Sequence, residues 1–251
     1  MSLGEVITIA LAGLAAGTIN TVVGSGTLIT FPVLLAFGYA PVTANVSNTV
    51  GLVPGSVSGA IGYRRELSGQ RHRAMRLGTM SVLGGITGAI LLLVLPAAAF
   101  KAVVPVFIAL ALLLTLLQPR LNAWLLRREI DLDRHGAIPT AVAVYAIGVY
   151  GGYFGAAQGI LLLAVLGVAL TQDLHRTNGL KNVLAGLTNG VAGLYFVLAA
   201  HVEWAPAGII AVTSIVGAQL GARYGRRLHP DALRALIVVV GVSAIVRLVL
   251  G

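Results

Sequence analysis

Apolar residues run almost without pause from Val6 to Phe37, and again from Ala137 to Leu170. Both stretches are too long for one ordinary bilayer crossing, which takes about 20 residues. Between and after them lie six apolar segments of more usual length: Val42 to Tyr63, Met75 to Leu95, Ala98 to Leu117, Thr177 to Ala200, Trp204 to Ala222 and Ala232 to Leu250. Each long stretch is interrupted near its middle, the first by Gly24-Ser25-Gly26-Thr27 and the second by Gly155-Ala156-Ala157-Gln158-Gly159. Unwound backbone at membrane depth is tolerated only where protein or a water-filled cavity satisfies its N–H and C=O groups, so both breaks are expected to face inward. Broken helices in corresponding places of two halves are the sequence sign of a transporter's substrate site.

Composition makes the membrane reading firm. With 57% hydrophobic and 10% charged residues and a mean hydropathy of +0.93, the 251 residues do not wrap one water-soluble core. The fold class is all-α and polytopic, and the short connections leave no room for an extramembrane domain. A net charge of +9 raises the question of nucleic acid. The cations sit in short loops with no aromatic-laced patch, so they are read as orientation signals and nucleic acid is not expected as a partner. The chain has no cysteine, which excludes disulfides, thiolate metal sites and cysteine nucleophiles, and no cofactor is implied. Met1 to Glu5 carries no basic residue ahead of the first apolar run, so that run is expected to belong to the mature protein.

Sliding the chain along itself suggests a duplication. An offset of 131 pairs Gly17 with Gly148, Gly24 with Gly155 and Ile29 with Ile160. After a two-residue insertion, an offset of 133 pairs Asn45 with Asn178, and Ser81, Gly84, Gly88 and Ala89 with Ser214, Gly217, Gly221 and Ala222. Small residues spaced by four let helix backbones approach closely, so these glycines are read as packing residues. The expected organisation is a first transmembrane repeat over 1–118, a cytoplasmic connecting loop over 119–136 and a second repeat over 137–251, each repeat made of four apolar segments with the first one broken.

Arginines orient the halves. Arg64, Arg65, Arg71, Arg73 and Arg76 follow the second segment, whereas the matching loop around His201 to Trp204 has no Lys or Arg. The next pair reverses the bias, with only Lys101 after Pro96 against Arg223, Arg226, Arg227 and Arg234. The central connection carries Arg120, Arg127, Arg128 and Arg134 and is placed in the cytoplasm by the positive-inside rule. Eight plain crossings do not satisfy these assignments. They agree if each broken segment makes an even number of passes, as a re-entrant hairpin or two short helices, which gives the repeats inverted topology. A parallel repeat with four arginines outside is the rival arrangement.

The stretch GTINTVVGSGTLITFPVL, Gly17 to Leu34, followed by Asn45 and the exit at Tyr63, resembles the first repeat of the TauE/SafE sulfite-exporter family. GVYGGYFGAAQGILLLAVLG, followed by RTNGLKNVLAGLTNGVAGLYF, is similar to that family's second repeat. The resemblance covers nearly the whole chain. It implies movement of sulfite, sulfonates or related small sulfur-containing anions across the bacterial cytoplasmic membrane, often outward. Gly24-Ser25-Gly26 departs from an unbroken glycine triplet, and Ala156-Ala157 departs further.

An anion at the midplane is stabilised by the N-terminus of a half-helix, whose N–H groups and dipole end offer positive potential without a permanent charge. The candidate site therefore comprises Asn20, Gly24, Ser25, Gly26 and Thr27 at the first break, with Gly155, Gln158 and Gly159 at the second. One helix later, Asn45, Asn48 and Thr49 match Asn178, Lys181 and Asn182. Lys181 is the sharpest of these, because a lysine deep in a span is costly unless it faces a cavity or a partner. It could also lie one turn into its helix and snorkel. Asn45 and Asn178 are read equally well as caps of their own helices.

Every Asp and Glu falls near a span end or in a loop, as do His72, His135, His175, His201 and His229, so no midplane proton relay or metal cluster is expected. Tyr63, Trp204 and Tyr224 are read as interfacial anchors. An intramembrane enzyme would need a nucleophile and base at one depth or an HExxH pair, neither of which the sequence offers. The expected partners are a small anionic substrate and the lipid bilayer, with a homodimer admitted. Export driven by the membrane potential is the leading mechanism, and proton- or sodium-coupled import of a small organic anion, using Glu5, Glu203 or a backbone carbonyl for the cation, is the alternative.

Overall fold

Ser2 starts the first helix by accepting a hydrogen bond from the Glu5 N–H, while the Glu5 carboxylate reaches back to the Ser2 N–H, so two of the helix's orphan donors are satisfied at once. The computed structural model describes residues 1–126, 137–170, 172–225, 235, 237–243 and 246, and among them the regular elements are all α-helices. They are α1 (Leu3–Val22), α2 (Thr27–Ala36), α3 (Pro41–Gly62), α4 (Arg71–Val94), α5 (Ala97–Leu126), α6 (Ala137–Tyr153), α7 (Gln158–Ala169), α8 (Leu174–Ala199) and α9 (Trp204–Tyr224). Five of them (α1, α4, α5 as far as Leu121, α8 and α9) are long and apolar enough to cross a membrane, and α2, α6 and α7 are shorter apolar helices. α3 has the length of a span but a more polar sequence, because Asn45, Ser47, Asn48, Thr49, Ser56 and Ser58 are all turned inward and buried.

Both long apolar stretches are broken where expected, α1 from α2 and α6 from α7. Two boundaries differ from the sequence reading. α4 begins at Arg71, so Arg71, Arg73 and Arg76 stand on its first turns and not in a loop. α5 runs through Pro119 to Leu126, so residues 119–126 of the expected connecting loop are helical. The fall in hydropathy after Leu117 marks a change of surroundings, whereas a helix ends only where its backbone hydrogen bonds end. The remainder of that connection, with Arg127, Arg128, Arg134, His135 and the acids Glu129, Asp131 and Asp133, lies outside the described residues. So do Arg226, Arg227, His229, Asp231, Arg234 and most of the last apolar segment.

Helix contacts are made by small residues. A Cβ on Gly17 of α1 would stand 2.3 Å from the Ser214 carbonyl oxygen of α9, and one on Gly217 would stand 2.0 Å from that of Leu14. On the other side of the molecule, Gly84 and Gly88 of α4 lie equally close to the carbonyls of Tyr145 and Val149 on α6. α3 and α8 stand between these two pairs: Gly55 of α3 abuts Ser214, and the Thr188 hydroxyl of α8 donates to the Ser81 carbonyl. The contacts that join α1 to α9 are thus repeated between α6 and α4. Trp204 and Tyr224 are exposed as anchors would be, but Tyr63 is buried at 8% exposure, because the turn after α3 folds back over α8.

Candidate functional site: two helix breaks in contact

The chain leaves α1 at Val22 and enters α2 at Thr27, and it leaves α6 at Tyr153 and enters α7 at Gln158. Gly24 at φ +94° and Gly155 at φ +77° make the two reversals in the left-handed region, which glycine alone enters freely. Ala157 is also there, at φ +60°, a conformation that costs a non-glycine residue about 1–2 kcal/mol. The two breaks touch. The Gly159 N–H donates to the Gly24 carbonyl at 3.1 Å, and a Cβ on Gly24 would lie 2.4 Å from the Gly159 Cα.

Each helix ending in a break leaves unpaired carbonyls, and side chains from the other half of the chain cover them. On α1, the Thr21 carbonyl accepts from Asn178 Nδ2 at 3.2 Å, Lys181 Nζ at 3.2 Å and Asn182 Nδ2 at 3.3 Å, and the Asn20 carbonyl accepts from Lys181 Nζ at 3.1 Å. On α6, the Tyr153 carbonyl accepts from Asn45 Nδ2 at 3.0 Å. Neither Asn45 nor Asn178 caps its own helix: each caps a broken helix across the molecule. Lys181 has 0% exposure, so it does not snorkel. Its amine lies at the negative end of the α1 dipole, which favours a cation.

The far side of each break holds donors. Among the described residues, the N–H groups of Ser25, Gly26 and Thr27 meet no acceptor, nor do those of Ala156 and Ala157. Ser25 Oγ and Gln158 Nε2 are buried without a partner as well, and the Gln158 amide lies over Gly151 of the last turns of α6. A buried polar atom left unpaired costs about 1–3 kcal/mol, which a bound acceptor would offset. Asn48 turns to α2, where it meets the Thr27 hydroxyl at 3.4 Å and accepts from the Thr30 hydroxyl. Thr49, next along α3, is buried at 7% exposure. Asn20 is half-buried, and its Cβ lies against Gly26.

Three features went unread in the sequence. Phe31, Phe100 and Phe154 are buried and meet edge to face, with the Phe31 and Phe154 centroids 5.2 Å apart, and Phe107, Tyr150 and Tyr153 extend the group. This aromatic block lies beside the second break and comes from α2, α5, α6 and the break itself, so no spacing in the chain announces it. The Tyr150 hydroxyl donates to the Ala156 carbonyl within the break. At one chain end, Tyr39 donates to the Glu5 carboxylate at 3.2 Å, and burial together with that carboxylate pushes its phenol above the usual range.

With this geometry in hand, residues 9–248 match the family described as Sulfite exporter TauE/SafE. The chain belongs to the TauE/SafE family. A probable membrane transporter protein, ORF9, of a Sinorhizobium species is 27% identical over 95% of this chain and 90% of its own length. The probable membrane transporter protein YfcA of Escherichia coli K12 is 27% identical over 90% of this chain and 82% of its own. A further probable membrane transporter protein, from Haemophilus influenzae, is 24% identical over 90% of this chain and 88% of its own. No solved structure matches. This TauE/SafE protein is a membrane transporter and not an enzyme, and it is a multi-pass protein of the bacterial inner membrane.

Proposed function

We propose that this transporter exports sulfite, sulfonate or a related small sulfur-containing anion, bound where the two breaks meet between two repeats of inverted topology. The observation that carries the reading is the cluster of unpaired donors among the described residues: the N–H groups of Ser25, Gly26 and Thr27 leading into α2, those of Ala156 and Ala157 just ahead of α7, Ser25 Oγ and Gln158 Nε2. Sulfite and sulfonate groups present several oxygen acceptors within a few ångströms, and this donor set complements them. Each half-helix terminus contributes about 0.3–1 kcal/mol, up to about 2 kcal/mol when partly buried, so binding is weak enough to permit release. The mirrored packing of α1 on α9 and of α6 on α4 supports the repeats, and the arginines support their inversion. Asn20, Gly24, Ser25, Gly26, Thr27, Gly155, Gln158 and Gly159 then surround the anion. Asn45, Asn48, Thr49, Asn178, Lys181 and Asn182 shape the breaks from α3 and α8.

In this reading the membrane potential drives efflux, since about 100 mV, inside negative, favours expulsion by about 2.3 kcal/mol per negative charge. Counterflow in proteoliposomes against sulfite, thiosulfate, sulfoacetate, taurine and sulfate tests the substrate. At least one is expected to compete, and transport is expected to follow an imposed voltage. Flux that ignores voltage and follows only a proton or sodium gradient would establish the coupled-importer alternative.

A further inference from the structure

The Gly159 N–H is one of the donors that an anion at the start of α7 would use, and the Gly24 carbonyl of the other break holds it. The two backbones meet with no side chain between them: a Cβ on Gly159 would lie 2.5 Å from the Gly24 Cα and 3.0 Å from its carbonyl oxygen. Nothing bulky passes between the breaks while this contact stands. Around it, Ser25, Thr27, Ala156, Ala157 and Gln158 are each 9% exposed or less. We propose that the Gly24 carbonyl is a built-in stand-in for the substrate, so that an arriving anion displaces it from the Gly159 N–H and thereby unlocks one break from the other. This rests on the anion-transport reading and adds the step by which binding is coupled to movement.

The physical case has three parts. First, the lock is made of the same chemistry as the ligand, an oxygen acceptor on a helix N-terminus, so substrate and lock exclude one another. Second, an anionic oxygen is a stronger acceptor than a peptide carbonyl, and hydrogen bonds to charged groups are roughly twice as strong as neutral ones, so the exchange favours the anion. Third, the neighbouring donors Ser25 Oγ and Gln158 Nε2 stay unpaired while the carbonyl is in place and gain a partner only when the anion enters. An empty transporter is thereby closed without a side-chain gate.

Gly159→Ala tests the lock, because its methyl group forces the two backbones apart. In proteoliposomes, chloride leak through Gly159→Ala is expected to rise about tenfold, the factor that roughly one net hydrogen bond represents. Gly190→Ala, whose Cβ would meet nothing within 4 Å, is expected to leak no more than the unsubstituted protein. A Gly159→Ala leak equal to that of the unsubstituted protein overturns the proposal. Should that variant fail to fold, Ala156→Cys supplies a single thiol in a cysteine-free chain, at a position with 0% exposure. Its labelling by a methanethiosulfonate reagent is expected to be slow in the empty protein and faster with whichever of sulfoacetate or sulfate the protein transports. Fast labelling without any anion, or no acceleration by a transported one, also overturns it. Chloride leak is read without a sulfur anion, so a protein that moves none of the five test anions defeats the functional reading and leaves the lock to be decided separately.

Discussion

The end of α1 and the end of α6 present the same problem, a row of carbonyls with no helix beyond them, and they are closed very differently. α1 receives Asn178, Lys181 and Asn182 on two adjacent carbonyls, one of the donors being a lysine amine. Among the described residues, α6 receives Asn45 alone, with the Tyr150 hydroxyl binding the Ala156 carbonyl a few residues further on. At the positions aligned by the 133-residue offset, Asn48 stands where Lys181 stands in the other half. Among the described residues, its hydrogen bonds go to α2 within its own half. One broken end is thus closed by several donors that include a lysine amine, and the other by an amide beside a block of aromatic rings.

The largest expected effect comes from removing the charge. Lys181→Ala leaves the Asn20 carbonyl without its side-chain donor and is expected to abolish counterflow; hydrogen bonds to charged groups contribute about 1.5–3 kcal/mol, so thermal unfolding in detergent should fall as well. Lys181→Gln keeps a donor and removes the charge. If it restores the unfolding temperature but not the flux, the charge serves the anion; if it restores both, the first break needs only a donor and the contrast between the breaks loses its main element.

Next in size are glycine substitutions at the matched packing contacts. Gly84→Ala and Gly217→Ala each drive a methyl group into a carbonyl oxygen, at 2.3 Å from Tyr145 and 2.0 Å from Leu14. Overpacking of this kind costs about 1–3 kcal/mol. Similar losses in the two variants would extend the likeness of the halves from geometry to energy, and a loss in only one would break it.

A finer comparison sets Asn45→Ala against Asn178→Ala. Among the described residues, Asn45 is the one side chain that donates to the Tyr153 carbonyl, whereas the Thr21 carbonyl keeps two other donors after Asn178 is gone. Asn45→Ala is expected to lower stability by about 1 kcal/mol and Asn178→Ala by clearly less. Equal losses in chemical denaturation would mean that the extra donors at the first break do not back one another up.

The smallest effect is expected at Ala157. Glycine there removes the left-handed strain of about 1–2 kcal/mol but adds about 0.5–1 kcal/mol of unfolded-state freedom. Ala157→Gly should therefore leave the unfolding temperature unchanged or raise it by a few degrees; a clear fall would show that the Ala157 methyl group packs more tightly than its backbone is strained.

The sequence was most legible where one physical rule acted alone. Hydropathy located the breaks at residues 23–26 and 154–157 within a residue or two, because each apolar stretch is too long for one crossing and holds its glycine cluster near the middle. Small residues at Gly84, Gly88, Gly217 and Gly221 announced close helix contacts, and those contacts are there. Legibility failed where two requirements competed. The end of α5 was placed at the loss of hydropathy, although its backbone continues to Leu126. Asn45 and Asn178 were weighed as local caps, since capping is usually a matter of near neighbours, and their partners turned out to be 108 and 157 residues away. The burial of Lys181 was foreseen as one of two outcomes, but its bonds to the Asn20 and Thr21 carbonyls could not be read from a polar position on α8. The aromatic block was missed because its members are scattered over four elements.

The capping pattern bears on how the chain is made. A helix synthesised early, α1, finds its closing donors on α8 and its most extensive packing partner on α9, as in the bond from the Thr18 hydroxyl to the Gly217 carbonyl across 199 residues. Until those late helices leave the ribosome and enter the bilayer, the end of α1 is a set of bare carbonyls in lipid, the arrangement a membrane tolerates least. The first half therefore cannot mature on its own. It must be held by water, by the insertion machinery or at the interface until the second half arrives, which makes the order of synthesis part of the folding problem of this transporter.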